Sequence, residues 1–348
     1  MKIFLLHLGC NIDRWDVINV EKLKIGILGT AKIAPIALIG PAESVPTVQV
    51  AAIASRDEDR ARKFAEIWDI PTAYGSYEEL LENPVIEVIY NPLPNSMHAE
   101  WSIRALWAGK HVLCEKPLAS NAIEAQEMCD VAEETGLNLT EAFHYRYHPL
   151  AVQLKDIATG GDIGVVEHVN TTWLVPLPKT DIRFDYALAG GSMMDLGCYG
   201  VNFLRYVAGE EPEVTNAQAE CVADQIDGRM EADLAFPGGL SGHVESAMSD
   251  AKYKEEIRMV GTEGECYCQH SFFPQGGALL RVIKGSAKTH VKVDPKETYV
   301  YQLEIFARAI AEGTPTLTPA TDAVKNMRVI DAIYEKAGLK IRGLKDES

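Results

Sequence analysis

The strongest constraint on this chain is a regular alternation of short apolar runs and amphipathic stretches through residues 24–145. Lys24-Ile25-Gly26-Ile27-Leu28-Gly29 reads as a buried strand ending at a glycine turn, with a helical stretch after it. Residues 48–55 read as a second strand, and 57–69 as a helix whose N-terminus Asp57 can cap. Strands at 86–90, 111–114 and 137–143 alternate with helices at 97–108 and 122–135, stopped by Gly109 and Gly136. Strands joined by helices of this length pair in parallel through right-handed crossovers, with helices on both faces.

Beyond about residue 150 the pattern changes. Successive strands are expected at 165–175, 214–223, 229–236, 240–248, 256–260 and 280–283. A helix over 193–207 precedes most of them, and helices over 301–311 and 321–336 close the chain. The predicted fold is therefore α/β: an N-terminal Rossmann parallel sheet, then an α+β domain with a large, open, mostly antiparallel sheet. The seam falls near residue 145. This gives an extension over 1–23, a nucleotide-binding unit over 24–145 and a substrate-binding unit over 146–348.

Composition excludes several function classes. Apolar residues make up 47% of the 348, which rules out a disordered chain. Fifty acidic against 33 basic side chains, a net charge of −17, argue against a partner that presents a phosphate backbone. No run of 18 or more apolar residues suits a membrane span. The first ten residues carry one charge and a short apolar stretch interrupted by His7. No small-residue cleavage site follows, so a cytoplasmic protein with reduced thiols is expected. The seven cysteines include Cys266 and Cys268, which a strand would place on one face. There is no H-E-x-x-H, no Cys-x-x-Cys and no G-x-S-x-G, so neither a metal site nor a serine hydrolase is predicted.

The glycine turn reads Gly29-Thr30-Ala31-Lys32-Ile33-Ala34. The dinucleotide fingerprint G-x-G-x-x-G/A uses small residues so that a pyrophosphate can approach backbone N–H groups. Gly29 and Ala34 fit it, whereas Ala31 replaces the middle glycine. The second strand ends in Ser55-Arg56-Asp57. A hydroxyl and a planar cation at that tip suit a 2′-phosphate, so NADP is expected ahead of NAD, with Asp57 left for a ribose contact or a helix cap. The fifth strand ends in Glu115-Lys116-Pro117, beyond which the cofactor crevice of an open α/β sheet lies. In the second unit, Asp195 and Tyr199 share one face at the start of the long helix.

Together, Pro92-Leu93-Pro94-Asn95-Ser96-Met97-His98, Ala108-Gly109-Lys110-His111-Val112-Leu113 leading into Glu115-Lys116-Pro117, and Asp195-x-Gly-x-Tyr199 resemble the Gfo/Idh/MocA oxidoreductase family over residues 24–340. Tyr199 in place of histidine, and Glu141-Ala142-Phe143-His144-Tyr145-Arg146-Tyr147-His148-Pro149, resemble its glucose–fructose oxidoreductase, dihydrodiol dehydrogenase and D-xylose dehydrogenase branch. His144 departs from the methionine of that branch.

The resemblance implies that Lys116 sits beside the nicotinamide and that Tyr199 is the acid/base on the substrate oxygen. Asp195 would hold a sugar hydroxyl or orient its neighbours. The ammonium of Lys116 is expected to favour the Tyr199 phenolate. Gly29, Thr30, Ala31, Lys32, Ile33, Ser55, Arg56, Pro92, Asn95, His98, Glu115 and Lys116 would line the cofactor. Arg146, His148 and Arg183, with Asp195 and Tyr199, are candidate substrate contacts.

The implied activity is NADP-dependent hydride transfer at the CH–OH carbon of an aldose such as D-xylose, or of a cyclic diol. Two alternatives remain: an aldose–aldose oxidoreductase that keeps its NADP, and a non-catalytic nucleotide-sensing regulator. A homodimer through the open C-terminal sheet is also implied.

Overall fold

The computed structural model describes residues 22–249 and 252–344. The expected extension thus falls almost wholly outside the described residues, and Leu23 already begins the first strand.

Six strands form the first sheet: β1 (Leu23–Leu28), β2 (Val48–Ala54), β3 (Thr72–Tyr74), β4 (Val88–Asn91), β5 (His111–Cys114) and β6 (Leu139–Glu141). All neighbours are parallel, in the order β3-β2-β1-β4-β5-β6. Strand direction is reached outward on both sides of β1, so a crevice opens beyond the ends of β1 and β4. The central strands are buried on both faces, which is why they read as unbroken apolar runs.

A π-helical turn (Pro35–Ile39) runs into α1 (Gly40–Glu43), and α2 (Glu58–Ile67) follows β2. Next come α3 (Tyr77–Glu82), α4 (His98–Trp107) and α5 (Ala122–Thr135). Asn121 caps α5 by accepting from the amides of Ile123 and Glu124, and Gly136 ends it in the left-handed region. Both β3 and α3 were missing from the sequence reading. A three-residue strand carries too little periodicity to see, but Ser76-Tyr77-Glu78-Glu79 is a capping box: Ser76 accepts from the Glu79 amide and Glu79 accepts from the Gly75 amide.

After α6 (Pro149–Thr159) comes an eight-stranded sheet: β7 (Val166–Leu174), β8 (Glu213–Ala223), β9 (Ile226–Ala235), β10 (Ser241–Ala247), β11 (Lys254–Gly261), β12 (Glu265–Gln269), β13 (Leu279–Lys284) and β14 (Ala287–Val291). Its order is β14-β13-β12-β11-β7-β10-β9-β8, antiparallel except between β7 and β10. One face is apolar and packs under α7 (Cys198–Ala208) and the π-helical turn Met193–Gly197 before it. Gly197 lets that turn settle onto the sheet: a Cβ there would lie 2.5 Å from Met193 Sδ and 3.1 Å from Ser246 Oγ.

The opposite face is polar. His243 pairs with Asp233, Arg229 with Glu231 and Glu245, and Arg258 with Glu265. Its side chains are the alternate residues of the same strands, so the open face expected from sequence is a charged one.

The chain then returns across the seam. Helix α8 (Thr298–Glu312) buries Tyr299, Leu303 and Phe306 with Ile25, Val88 and Leu113 of the first sheet. Helix α9 (Ala320–Lys336) buries Met327, Ile330 and Ile333 in the larger core shared by both sheets. None of the described helices is long and apolar enough to cross a membrane.

Candidate active site

The end of β1 provides the first half of the site. Gly29 has φ +77°, and a Cβ there would come within 2.9 Å of Leu93 Cδ2, so the turn is tight and needs glycine. Thr30, Ala31, Lys32 and Ile33 continue from it into the π-helical turn. Ala37 and Ile36 donate back to the Ile33 carbonyl, which fixes where the first amides point.

Ser55 is buried at the tip of β2, and its hydroxyl accepts from the Asp57 amide. Asp57 itself caps α2 by accepting from the Arg60 amide, so of its two expected roles the structure displays the helix cap. Arg56 is exposed beside Tyr77, and Arg60 reaches back from the first turn of α2 to donate to Thr30 Oγ1 at 2.8 Å. Sequence reasoning missed Arg60. The available signal was its position one helical turn after the strand tip, where side chains lean back toward the helix N-terminus.

The tight glycine turn, the hydroxyl and the two arginines fit a phosphorylated dinucleotide. Ala31 stands where the fingerprint has its middle glycine.

The second half is an ionic trio across the seam. Lys116, at the end of β5, donates from Nζ to Asp195 Oδ1 at 3.0 Å and to the Asp195 carbonyl at 2.8 Å. Arg183 Nε lies 2.7 Å from the other carboxylate oxygen. Lys116 and Asp195 each keep 13% of their side-chain exposure. Burial works most strongly against the charge on Lys116, but Asp195 and Cys198 together outweigh it and leave the lysine above its usual range. For Asp195, burial is likewise outweighed by Lys116 and Arg183, which bring the carboxyl down to about 2. All three groups are therefore ionised at neutral pH.

Tyr199 follows one turn later and is almost fully buried. Lys116 Nζ sits 4.9 Å from the centre of its ring, over the face rather than at the hydroxyl. Burial, then Tyr299 and Glu115, push the phenol well above its ordinary range. The expected phenolate is thus corrected: the ammonium is committed to Asp195, and Tyr199 is protonated. Trp173 packs edge-on against the Tyr199 ring at 4.6 Å, with its indole N–H buried and without a partner among the described residues. Sequence reasoning did not single it out.

Three expected contacts have other work. His98 is fully buried, with Nδ1 2.9 Å from the Pro117 carbonyl and Nε2 2.7 Å from the Leu93 carbonyl, so it braces the two loops rather than facing a cofactor. Burial lowers its pKa to about 4. His148 caps α6 through the Leu150 amide and contacts the Asp294 carbonyl, leaving no surface for substrate. Arg146 lies 3.7 Å over the Tyr206 ring, about two helical turns from Tyr199, and pairs with Asp322.

Pro92 is buried beneath the β4 loop, and Asn95 spans the seam by donating to the Ala189 carbonyl at 3.1 Å. Glu115 accepts from the Tyr90 hydroxyl at 2.7 Å. Burial raises its pKa, against the pull of Tyr90 and Lys116.

A buried strap holds the Asp195 segment. Asp227 accepts from Ser192 Oγ, the Met193 amide, Tyr334 and Arg342, and Arg342 also donates to the Gly190 carbonyl. The partners lie up to 152 residues apart, beyond the reach of any local pattern.

An NAD(P) turn facing a buried lysine–aspartate–tyrosine set defines a dinucleotide-dependent oxidoreductase. The oxidoreductase family model with an NAD-binding Rossmann fold matches residues 23–143, and the GFO/IDH/MocA C-terminal domain matches residues 151–267. The chain belongs to the Gfo/Idh/MocA oxidoreductase family.

It is 38% identical to a D-xylose 1-dehydrogenase (NADP(+)) of Haloferax volcanii, over 90% of this chain and 97% of that one. A 3-ketoreductase of Actinomadura kijaniata, solved with NADP and TDP-benzene, superposes with a TM-score of 0.85 at 27% identity, covering 91% of this chain and 98% of that one. An aldose–aldose oxidoreductase of Caulobacter crescentus with glycerol gives 0.84 at 27%, with the same coverage. An enzyme is thereby established, and the regulator alternative falls away.

Proposed function

We propose that the protein is an NADP-dependent sugar dehydrogenase acting on the CH–OH carbon of an aldose, with D-xylose the first substrate to test. The observation that carries this reading is the Lys116 ammonium, fixed by Asp195 between the end of β5 and the Tyr199 ring. The similarity to an NADP-dependent D-xylose dehydrogenase supports the substrate class. Arg56, exposed beside Tyr77, and Arg60, exposed beside Thr30, supply the charge a 2′-phosphate needs.

When bound, the nicotinamide supplies or takes the hydride. Lys116 keeps one N–H beyond its two bonds to Asp195, and that donor stabilises negative charge developing on the substrate oxygen. Tyr199 gives its hydroxyl proton to that oxygen in reduction; in oxidation it first loses that proton to solvent, and the phenolate then takes the alcohol proton. Asp195 has both oxygens engaged, so it serves to hold Lys116 and Arg183 rather than a sugar hydroxyl. Trp173 offers its free indole N–H to a substrate hydroxyl.

The test is a steady-state screen of aldoses and diols with both nucleotides. NADP reduction with an aldose that disappears in Lys116→Ala is expected. No turnover of any aldose by wild type would sink the reading. An aldose–aldose cycle would show itself by NADP co-purifying with the protein at full occupancy. We further propose a homodimer through the charged face of the eight-stranded sheet. Sedimentation should give twice the chain mass, and dissociation in high salt would follow from the polar ladder.

A further inference from the structure

Behind Tyr199 lies a histidine that the reaction as proposed does not use. His144 sits in a short 3-10 turn (His144–Tyr147) just after β6, completely buried. Its Nε2 is 3.0 Å from the Tyr199 hydroxyl, and its Nδ1 is 2.8 Å from Oγ1 of Thr298, in the first turn of α8. The ring lies 4.1 Å from that of Tyr299 and 4.6 Å from that of Phe273, which fixes its plane. Three elements distant in sequence thus meet at one imidazole.

The Thr298 and Tyr199 hydroxyls each have the His144 ring as their one hydrogen-bond partner among the described residues, and a neutral imidazole accepts from one and donates to the other. The arrangement that leaves a proton for substrate has Thr298 donating to Nδ1 and the ring, with its hydrogen on Nε2, donating to the tyrosine oxygen. Burial, with Lys116 and His148 nearby, keeps the imidazole well below its usual range and hence neutral. In that arrangement Tyr199 accepts from His144, and its own O–H hydrogen is left for a group in the cleft.

We infer that His144 is a positioning residue: it reserves the Tyr199 hydroxyl proton for the substrate oxygen and stabilises the phenolate formed when that proton leaves. This rests on the acid/base role proposed for Tyr199. The charged and titratable groups around the pair are Lys116 and Glu115 beyond β5, Asp195 and Cys198 before and at the start of α7, Tyr299 on α8, and His148. Lys116 faces the ring, so His144 is the partner at the oxygen itself.

Wild type, His144→Leu, His144→Gln and Thr298→Val should be compared for sugar oxidation against pH, with NADP affinity and melting temperature measured on each. In His144→Leu, kcat should fall about 10- to 100-fold, as expected for losing one hydrogen bond to a developing charge. The limb that rises with Tyr199 ionisation should move to higher pH, while KM and NADP affinity hold. His144→Gln, which keeps an N–H, should recover most of the rate, and Thr298→Val should shift the limb the same way by less.

Unchanged kcat and pH limb in folded His144→Leu would overturn the inference. So would His144→Gln as impaired as His144→Leu with both folded. If His144→Leu does not fold, the Thr298→Val profile decides, and an unmoved limb there overturns it. Nitrogen NMR of the His144 ring in wild type reads the tautomer without turnover. A proton on Nε2 supports the inference even if no aldose is oxidised, and a proton on Nδ1 ends it.

Discussion

Two of this molecule's cationic pairs are built in opposite ways. Arg56 and Arg60 stand in solvent at the tip of β2 and the start of α2, held by little more than one hydrogen bond to Thr30. Lys116 and Arg183 are drawn onto one carboxylate at the domain seam, with every ionic contact between 2.7 and 3.0 Å. Exposed cations cost little and wait for an anion, whereas buried ones must arrive with their counter-charge. The first pair is suited to binding a ligand that brings its own charge. The second is suited to chemistry, because its geometry is set before the substrate enters.

That contrast can be broken in several places. Lys116→Ala should lower kcat by about 10²- to 10⁴-fold, the range for losing a group that handles charge and proton at the reacting atom, and leave nucleotide binding in place. Pre-steady-state kinetics with titrated NADP checks both. Asp195→Ala strands the buried Lys116 ammonium, while the part-exposed Arg183 keeps Asp181, and should cost about 3 to 5 kcal/mol in denaturant unfolding, with activity lost as well. A loss no larger than that of a surface substitution would show that the trio is looser than its distances say.

Arg56→Ala combined with Arg60→Ala should raise the KM for NADP about 10- to 100-fold, from losing one or two charge-assisted hydrogen bonds, and leave NAD almost untouched. Equal losses for both nucleotides would refute the 2′-phosphate assignment. Smaller still, salt should weaken NADP binding severalfold while the melting temperature barely moves, because only the exposed pair is screened.

The trio also has a pH signature. Asp195 has its pKa depressed to about 2 in the folded state, so its contribution is fully present above the ordinary carboxylate range, near 4. It is lost as pH falls from there through about 2. Asp195→Asn should flatten that part of the acid stability curve.

Much of this was legible in advance. The strands of the first sheet announced themselves because both faces are buried, leaving long apolar runs punctuated by glycines. Helix α5 was readable to the residue, since Asn121 and Gly136 mark its ends chemically. Lys116, Asp195 and Tyr199 were found because each sits in a short motif at an element end. His98 and His148 were misjudged for a common reason: both begin helices near the crevice, and a histidine there can turn outward to a ligand or inward to a carbonyl. Both turned inward.

Local chemistry determined the parallel sheet and the glycine turn, because strand burial, caps and tight turns act within a few residues; the roles proposed for Lys116, Asp195 and Tyr199 came from the family resemblance of their motifs. Tertiary structure decided what those side chains are. It made Tyr199 a phenol with a histidine behind it and locked Asp195 between two cations. It also brought Arg60 back to Thr30 and Arg342 under the Asp195 segment. Protonation and hydrogen-bond direction depend on what is buried alongside a group, and here those neighbours come from 55 to 154 residues away.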